Sequence, residues 1–209
     1  MTGLEDIKPL YKYALLYLYR GGDPLKLSAR YGVNQYILYS YYNKFRRELD
    51  NIDTRIKLIY SILSEGFSLE DVAEILDWRD FEELVSLVFR EYGYEVIRSF
   101  RIRRPPREID IIAYSRDTLF CLECKHWDKL LSPSILREVV KSHIDRCRLL
   151  GNISRYIGMK IYPVVITLRH HKTFFEGGVA IIPINGLANF IENYLSLVID
   201  GLLRDVTSL

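Results

Sequence analysis

Apolar residues recur along this chain with two different periods, and the change from one to the other divides it. Up to about residue 76 no stretch alternates in the manner of a strand. Leu10, Leu15, Leu16 and Leu18 belong to a helical run that stops at Gly21-Gly22. Asp23-Pro24 then restarts a helix, because aspartate caps orphan N–H groups and proline is tolerated in the first turn. In the run from Leu25 to Tyr42, the positions of Leu27, Ser28, Tyr31, Gly32, Val33, Leu38 and Tyr41 fit a helix-turn-helix template. There a small residue lets two helices approach, a glycine makes the turn and later apolar positions seat the second helix. A second helical pair follows, with Ile56, Leu58, Ile59 and Ile62 on its first member, Gly66 at its end, and Ser68 capping the run from Leu69 to Leu76. Whether the two pairs make a winged-helix-like unit or a simple bundle is not settled by spacing.

After residue 76 the periodicity changes. Phe81, Leu84, Val85, Val88 and Phe89 form the buried stripe of one more helix, with Asp80 and Glu83 placed as a capping box. From Tyr94 the chain reads as strand, and Glu108 to Ala113 and Leu119 to Lys125 make a hairpin around Ser115-Arg116-Asp117. Ser132-Pro133 opens a helix to about Leu150, with Leu136, Val139, Val140, His143, Cys147 and Leu150 facing the core. Lys160 to Leu168 and Val179 to Ile184 are continuous apolar strands, and Gly186 to about Leu203 closes the chain as a helix. Apolar strands separated by helices imply a sheet covered on both faces. The expectation is therefore an α/β fold, a central mixed β-sheet flanked by helices over residues 77–209, preceded by an all-helical domain over 1–76.

Charge breaks the apolar hairpin at a few positions, and those positions carry the chemistry. Alternate side chains on a strand share a face, so Glu108 and Asp110 lie together on one strand and Cys121, Glu123 and Lys125 on the next. Burying unpaired charge is costly, and neighbouring carboxylates repel unless a cation sits between them. A hard divalent ion with oxygen ligands is the natural occupant. A lysine beside it can hold a water or stabilise charge that develops on a phosphate. The bland counterpart is a cross-strand acid–lysine pair on a solvated face.

Asp110 followed by Glu123-Cys124-Lys125 resembles the Asp…Glu-x-Lys signature of the PD-(D/E)XK nuclease superfamily. The run Glu-Cys-Lys-His-Trp from Glu123 is similar to that of its Mrr-like, archaeal restriction-endonuclease-like branch. The resemblance covers about the last 130 residues and implies a restriction-endonuclease-like core. It further implies Mg2+ as the ion, with Mn2+ as a substitute, Asp110 and Glu123 as ligands joined by the main-chain carbonyl of Cys124, and Lys125 as catalytic lysine. The phrase Trp78 to Val85, followed by Gly93 to Val96, resembles the opening helix of Mrr-like nucleases, where a glutamate at the position of Glu82 completes the metal shell. A solvated helix-face glutamate is the alternative. The sequence departs from the signature in having Ile109 before Asp110, and no Gln-x-Lys element is evident on the following helix.

Two further sets of residues read as contacts to a polyanion. Arg98, Arg101, Arg103, Arg104 and Arg107 surround Pro105-Pro106, and guanidinium groups grip phosphate in a two-pronged fashion. An edge strand protected by charge is the other reading. In the N-terminal domain the second helix of the template would present Asn34, Gln35, Tyr39, Asn43, Lys44, Arg46 and Arg47 outward, a set suited to phosphate and base edges. A structural or dimerising bundle stays open, as does a homodimer.

Composition adds little. A net charge of +2 does not by itself call for a polyanion. Three cysteines without a signal-peptide pattern suggest a reducing, cytoplasmic interior, and the apolar runs are too short to cross a bilayer. A single glutamine, with abundant isoleucine, arginine and glutamate, points toward a heat-adapted source. Cys121 and Cys124 fall on opposite strand faces and have no second pair, which argues against structural zinc. His170 and His171 lie at a strand end with no defined role, and the absence of a phosphate-cradling glycine loop leaves ATP chemistry unsupported. The function expected is a metal-dependent DNA endonuclease acting on duplex or branched DNA. A Holliday-junction resolvase, a non-catalytic DNA-binding regulator on the same scaffold, and an RNA substrate are the competing readings.

Overall fold

The computed structural model describes residues 3–68, 71–72, 75–126, 132–168 and 174–209. The Leu69-to-Leu76 helix is only partly within these residues, and Trp127, His170 and His171 lie outside them. The chain divides into two compact units, Met1–Asp80 and Phe81–Leu209.

In the first unit four helices, α1 (Pro9–Tyr19), α2 (Pro24–Tyr31), α3 (Gln35–Phe45) and α4 (Ile52–Ser64), enclose a core of Tyr13, Leu15, Leu16, Leu27, Leu38, Ile59 and Ile62. No strand occurs among its described residues. Asp23 caps α2 by accepting from the Leu25 N–H, with Pro24 at the first helical position, and α2 stops at Gly32, whose φ of 65° lies in the left-handed region that glycine enters without a steric cost. Asn34 accepts from the Ile37 N–H and caps α3. Its Oδ1 is thus engaged at the helix start, while the residue stays exposed as its position in the template suggested. Tyr36, Tyr39, Asn43, Lys44, Arg46 and Arg47 are exposed, while Gln35 is half-buried.

Asp80 sits in this unit with a role different from the expected cap. Helix α5 (Trp78–Glu91) begins two residues earlier, and the carboxylate that meets the Asp80 N–H belongs to Asp77. Asp80 itself is 1% exposed and bonds Arg20 and Arg55, the latter at 2.9 Å. A buried carboxylate needs counter-charge more than a helix end needs a cap. Glu83, the other half of the expected box, pairs instead with Arg90 at 2.9 Å and Arg98 at 2.6 Å.

The second unit is built on a six-stranded mixed sheet in the order β1-β2-β3-β4-β6-β5. The strands are β1 (Glu95–Arg103), β2 (Pro106–Ser115), β3 (Thr118–Lys125), β4 (Lys160–Thr167), β5 (Phe175–Glu176) and β6 (Val179–Pro183). The first three form an antiparallel meander, β4 and β6 continue it in parallel, and β5 closes the edge antiparallel. The β2–β3 turn is tighter than the hydrophilic run suggested: Ser115 pairs with Thr118, and Arg116 takes a φ of 53°. Helix α6 (Pro133–Gly151) is the crossover between parallel strands β3 and β4, and α7 (Leu187–Ile199) follows β6. Helix, three strands, helix, strands, helix is the expected order; the two-residue β5 is an addition too short to leave a periodic signal.

Alternation along β3 shows how both faces are covered. Phe120 meets Phe89 of α5 and Phe190 and Tyr194 of α7, with ring centroids 5.0 to 5.7 Å apart. Its neighbour Cys121 points the other way into a cluster with Ile112, Cys147, Leu150, Tyr156 and Ile161. The sheet thus carries α5 and α7 on one face and α6 on the other, in place of water. No described helix is long and apolar enough to cross a membrane.

Candidate active site

The site assembles at one end of β2 and β3. Ile111 pairs with Leu122 and Ile112 with Cys121, so extending the register sets Asp110 opposite Glu123. The Asp110 carboxylate accepts the Cys124 N–H at 2.8 Å, which fixes it across the strand gap. Glu123 is 5% exposed and its two oxygens are divided between cations: Lys125 Nζ at 2.6 Å from Oε1 and Arg146 at 2.5 Å from Oε2. Lys125 lies two positions along the same strand face, and its side chain remains partly open to solvent. Arg146 comes from α6, three residues after the buried His143 and one before Cys147.

Electrostatics show that these carboxylates feel each other. Burial, together with the charges of Asp110, Glu108 and Glu123, pushes Glu82 up to about 7 against the pull of Arg98. Burial and the charge of Glu123 push Asp110 up to about 6, opposed by the Cys124 N–H, Lys125 and Arg146. For Glu123 burial acts upward too, but His143 when protonated, the Lys125 hydrogen bond and Arg146 hold its carboxyl below the usual value. His143 is itself pushed down to about 4 by burial. Its ring is then uncharged near neutrality, and Lys125 and Arg146 are the groups that keep Glu123 ionised.

The structure therefore gathers Glu82 on α5, Asp110 on β2, and Glu123 and Lys125 on β3 within electrostatic reach of one another. Among the described residues the three carboxylates do not close to within 4.8 Å of one another, so their side chains would have to turn inward to share one hard divalent cation. Glu108 stands apart: it is exposed and pairs with Arg101 at 3.1 Å across β1–β2. The arginine set is also divided. Arg98 is committed to Glu83 and Arg101 to Glu108, and the Arg107 guanidinium donates to the Pro106 carbonyl at 2.9 Å. Arg103, Arg104 and Arg107 are exposed on the turn. The Arg98 pair is partly buried, whereas the Arg101–Glu108 pair is exposed and weak.

Two residues of this neighbourhood went unremarked as site residues in the sequence. Arg146 reads there as one more charge on a helix, although its spacing of three from His143 and one from Cys147 sets it beside the core stripe. His143 reads as a core residue, which it is, yet its Nδ1 lies 3.7 Å from Glu123. Cys121 and Cys147 are joined as a disulfide with Cα atoms 6.0 Å apart, contrary to the expectation of three reduced thiols, and Cys124 is free. A 26-residue separation hides such a pair from any local pattern.

A family model described as nuclease-related domain matches residues 77–168, which run from the start of α5 through β4 and include Glu82, Asp110, Glu123 and Lys125. Among solved structures, the small subunit of the heterodimeric restriction endonuclease R.BspD6I aligns with a TM-score of 0.35 and 15% identity, over 61% of this chain and 73% of that one. Protein VC1899 from Vibrio cholerae aligns with a TM-score of 0.36 and 12% identity over 94% of this chain, which spans 57% of that protein. No curated protein matches. The match to the nuclease-related domain supports a nuclease.

Proposed function

We propose that the chain is a divalent-cation-dependent DNA endonuclease that hydrolyses phosphodiester bonds. What supports this is the placing of Asp110 opposite Glu123 on adjacent strands, with the Cys124 N–H on Asp110 and Lys125 and Arg146 on Glu123. Glu82, Asp110, Glu123 and the Cys124 carbonyl would hold Mg2+, or Mn2+ in its place. When bound, such an ion supplies Lewis acidity toward a phosphoryl oxygen and makes a coordinated water more acidic.

The chain's own groups do the rest. The Cys124 N–H aims Asp110 at its neighbours. Arg146 holds Glu123 by one oxygen, so that the carboxylate keeps a single rotamer and stays charged. Lys125 Nζ, hydrogen-bonded to the other oxygen and open to solvent on its far side, orients an attacking water and offers positive charge to the phosphate as it becomes pentacovalent. Arg103, Arg104 and Arg107 on the β1–β2 turn grip the DNA backbone. Lys44 and Arg47, with Gln35 at the start of α3, give the N-terminal unit its own contacts to DNA.

The test is to incubate the protein with linear duplex, single-stranded and four-way-junction DNA and with RNA, with and without Mg2+ or Mn2+, and to look for nicks. Asp110→Asn and Lys125→Ala should each abolish cleavage, by at least about 100-fold, while DNA binding survives. Cleavage retained in either variant refutes the assignment. A duplex-only product separates this reading from a junction resolvase.

A further inference from the structure

Helix α3 turns two unlike kinds of side chain to solvent, flat aromatic rings near its start and cations at its end. Tyr36 is 90% exposed and Tyr39 45%. Three residues apart, they share one face of the helix, and Asn43 and Arg47 continue that face over the next two turns, the backbone still being helical at Arg47. Tyr41 is instead covered edge-on by Tyr11 of α1, with ring centroids 5.7 Å apart. A single exposed ring is ordinary on a protein surface. Two along one helical face, leading into positive charge, point to a partner that has both flat apolar faces and negative groups.

The charge is segregated. Between Asp23 and Glu48 the chain has five cations, Lys26, Arg30, Lys44, Arg46 and Arg47, and no acid, whereas the whole chain carries a net charge of only +2. All five are exposed. A polyanion is the partner of matching sign. Duplex DNA offers base edges in its groove, and a helix lying there reads them with polar groups near its N-terminus. In α3 those positions are otherwise occupied. Asn34 has its Oδ1 engaged by the Ile37 N–H, Gln35 is half-buried, and the side chains that point outward are Tyr36, Ile37 and Tyr39. A tyrosine ring offers a face on which any base can stack, and a base shows its own face only when it is out of the duplex.

We propose that this face of α3 is a binding site for single-stranded nucleic acid, with bases stacked on Tyr36 and Tyr39 and the backbone running toward Arg46 and Arg47. At 1.5 Å of rise per residue, roughly 16 Å separate Tyr36 from Arg47, room for a few nucleotides. The site deepens the DNA contact proposed above for the N-terminal unit by naming the form of the strand, and it does not depend on cleavage. Where the chain also cuts DNA, it would favour substrates in which a single-stranded stretch borders the cut.

The full chain, kept in EDTA so that no cleavage intervenes, is titrated by fluorescence anisotropy against a labelled oligothymidylate and against a duplex of the same length, at several salt concentrations. The single strand is expected to bind more tightly than the duplex. Tyr36→Ala and Tyr39→Ala should each weaken single-strand binding about 5- to 150-fold, the range for losing one base–aromatic stack, and leave the salt slope and duplex binding unchanged. Both positions are at the surface, so neither change disturbs the core of the unit. Tyr36→Phe should bind as the wild type does, because the ring and not the hydroxyl makes the contact. Replacing Arg46 and Arg47 together by glutamine should lower the slope of log affinity against log salt by about 1.4, at about 0.7 per phosphate on a single strand. Tighter binding of the duplex, single-strand binding unchanged in both alanine variants, or an equal loss of duplex and single-strand binding overturns the proposal. So does self-association of the wild type that the alanine variants abolish with no strand bound, which would make the face a contact between copies of the chain. A chain that binds the single strand in this way yet cuts nothing would refute the nuclease reading and leave this site standing; one that cuts DNA while its alanine variants bind and cut as before would do the reverse.

Discussion

Asp110→Asn should make the metal-free protein more stable while destroying its activity. In the folded chain the Asp110 carboxyl is raised from 3.8 to about 6, by burial and by Glu123. A raised acid favours its protonated form, so the folded state loses stability as pH climbs from about 4 through about 6. A shift of about 2 units corresponds to about 3 kcal/mol at 1.36 kcal/mol per unit. Asparagine is nearly isosteric and uncharged, and its carbonyl oxygen can still accept the Cys124 N–H. At pH 8 without divalent ions it should therefore gain about 2 to 3 kcal/mol, or roughly 4 to 12 °C in melting temperature for a domain of this size. At pH 5, midway between the unfolded and folded values, the difference should shrink to about half of that at pH 8. Adding Mg2+ at pH 8 should raise the melting temperature of the wild type, through preferential binding to the folded state, and leave that of the variant nearly unchanged. Calorimetry at pH 5 and 8, with and without Mg2+, reads all four conditions. A variant that is less stable than wild type at both pH values, with no Mg2+ response in either protein, would show that the carboxylate is structural and refute the reasoning.

Arg146→Met removes one of the charges that hold Glu123 below its usual range; the acid limb of the pH–rate profile should move to higher pH with kcat reduced, and an unmoved profile would deny Arg146 this positioning role. Replacing Arg103 and Arg104 together by glutamine should weaken DNA binding and reduce the slope of log affinity against log salt by about 2, since each phosphate contact contributes about 0.9; an unchanged slope would exclude the turn from the DNA interface. In the N-terminal unit, Arg55→Met leaves the buried Asp80 with Arg20 alone and should destabilise that unit by about 3 to 5 kcal/mol in urea titration, as the loss of one partner in a buried pair does. A cost under 1 kcal/mol would mean that the Asp80 network adds little to the helical unit.

The parts of this molecule that were legible in advance are those written in local periods. Phe81, Leu84, Val85 and Phe89 repeat at helical spacing and do line the inner face of α5; the β2–β3 hairpin shows itself through alternating apolar residues around a short polar turn. The same rule placed Glu123 and Lys125 on one face of β3, and the contact between them follows from it. What the sequence hid depends on partners far along the chain. Asp80 looked like a helix cap because the motif Asp-x-x-Glu is local, whereas Arg20 and Arg55, which claim its carboxylate, are 60 and 25 residues away. The five arginines around Pro105-Pro106 looked equivalent because nothing nearby showed that Glu83 would take Arg98.

That asymmetry has a chemical reason at the site itself. Strand alternation can bring acids together, but it cannot hold them together, because the charge of Glu123 raises the cost of ionising Asp110. Lys125 supplies part of the counter-charge from the hairpin itself, and α6 adds Arg146 while the disulfide from Cys147 to Cys121 fastens that turn of the helix to the strand next to Glu123. Crossover helix and acid-bearing strand therefore act together on Glu123, whose two oxygens are held by Arg146 and Lys125. A residue that acts by holding a carboxylate ionised, like Arg146, is recognisable only when its partner is known. The acids are visible from their pattern, and the cation that makes them usable is visible from the fold.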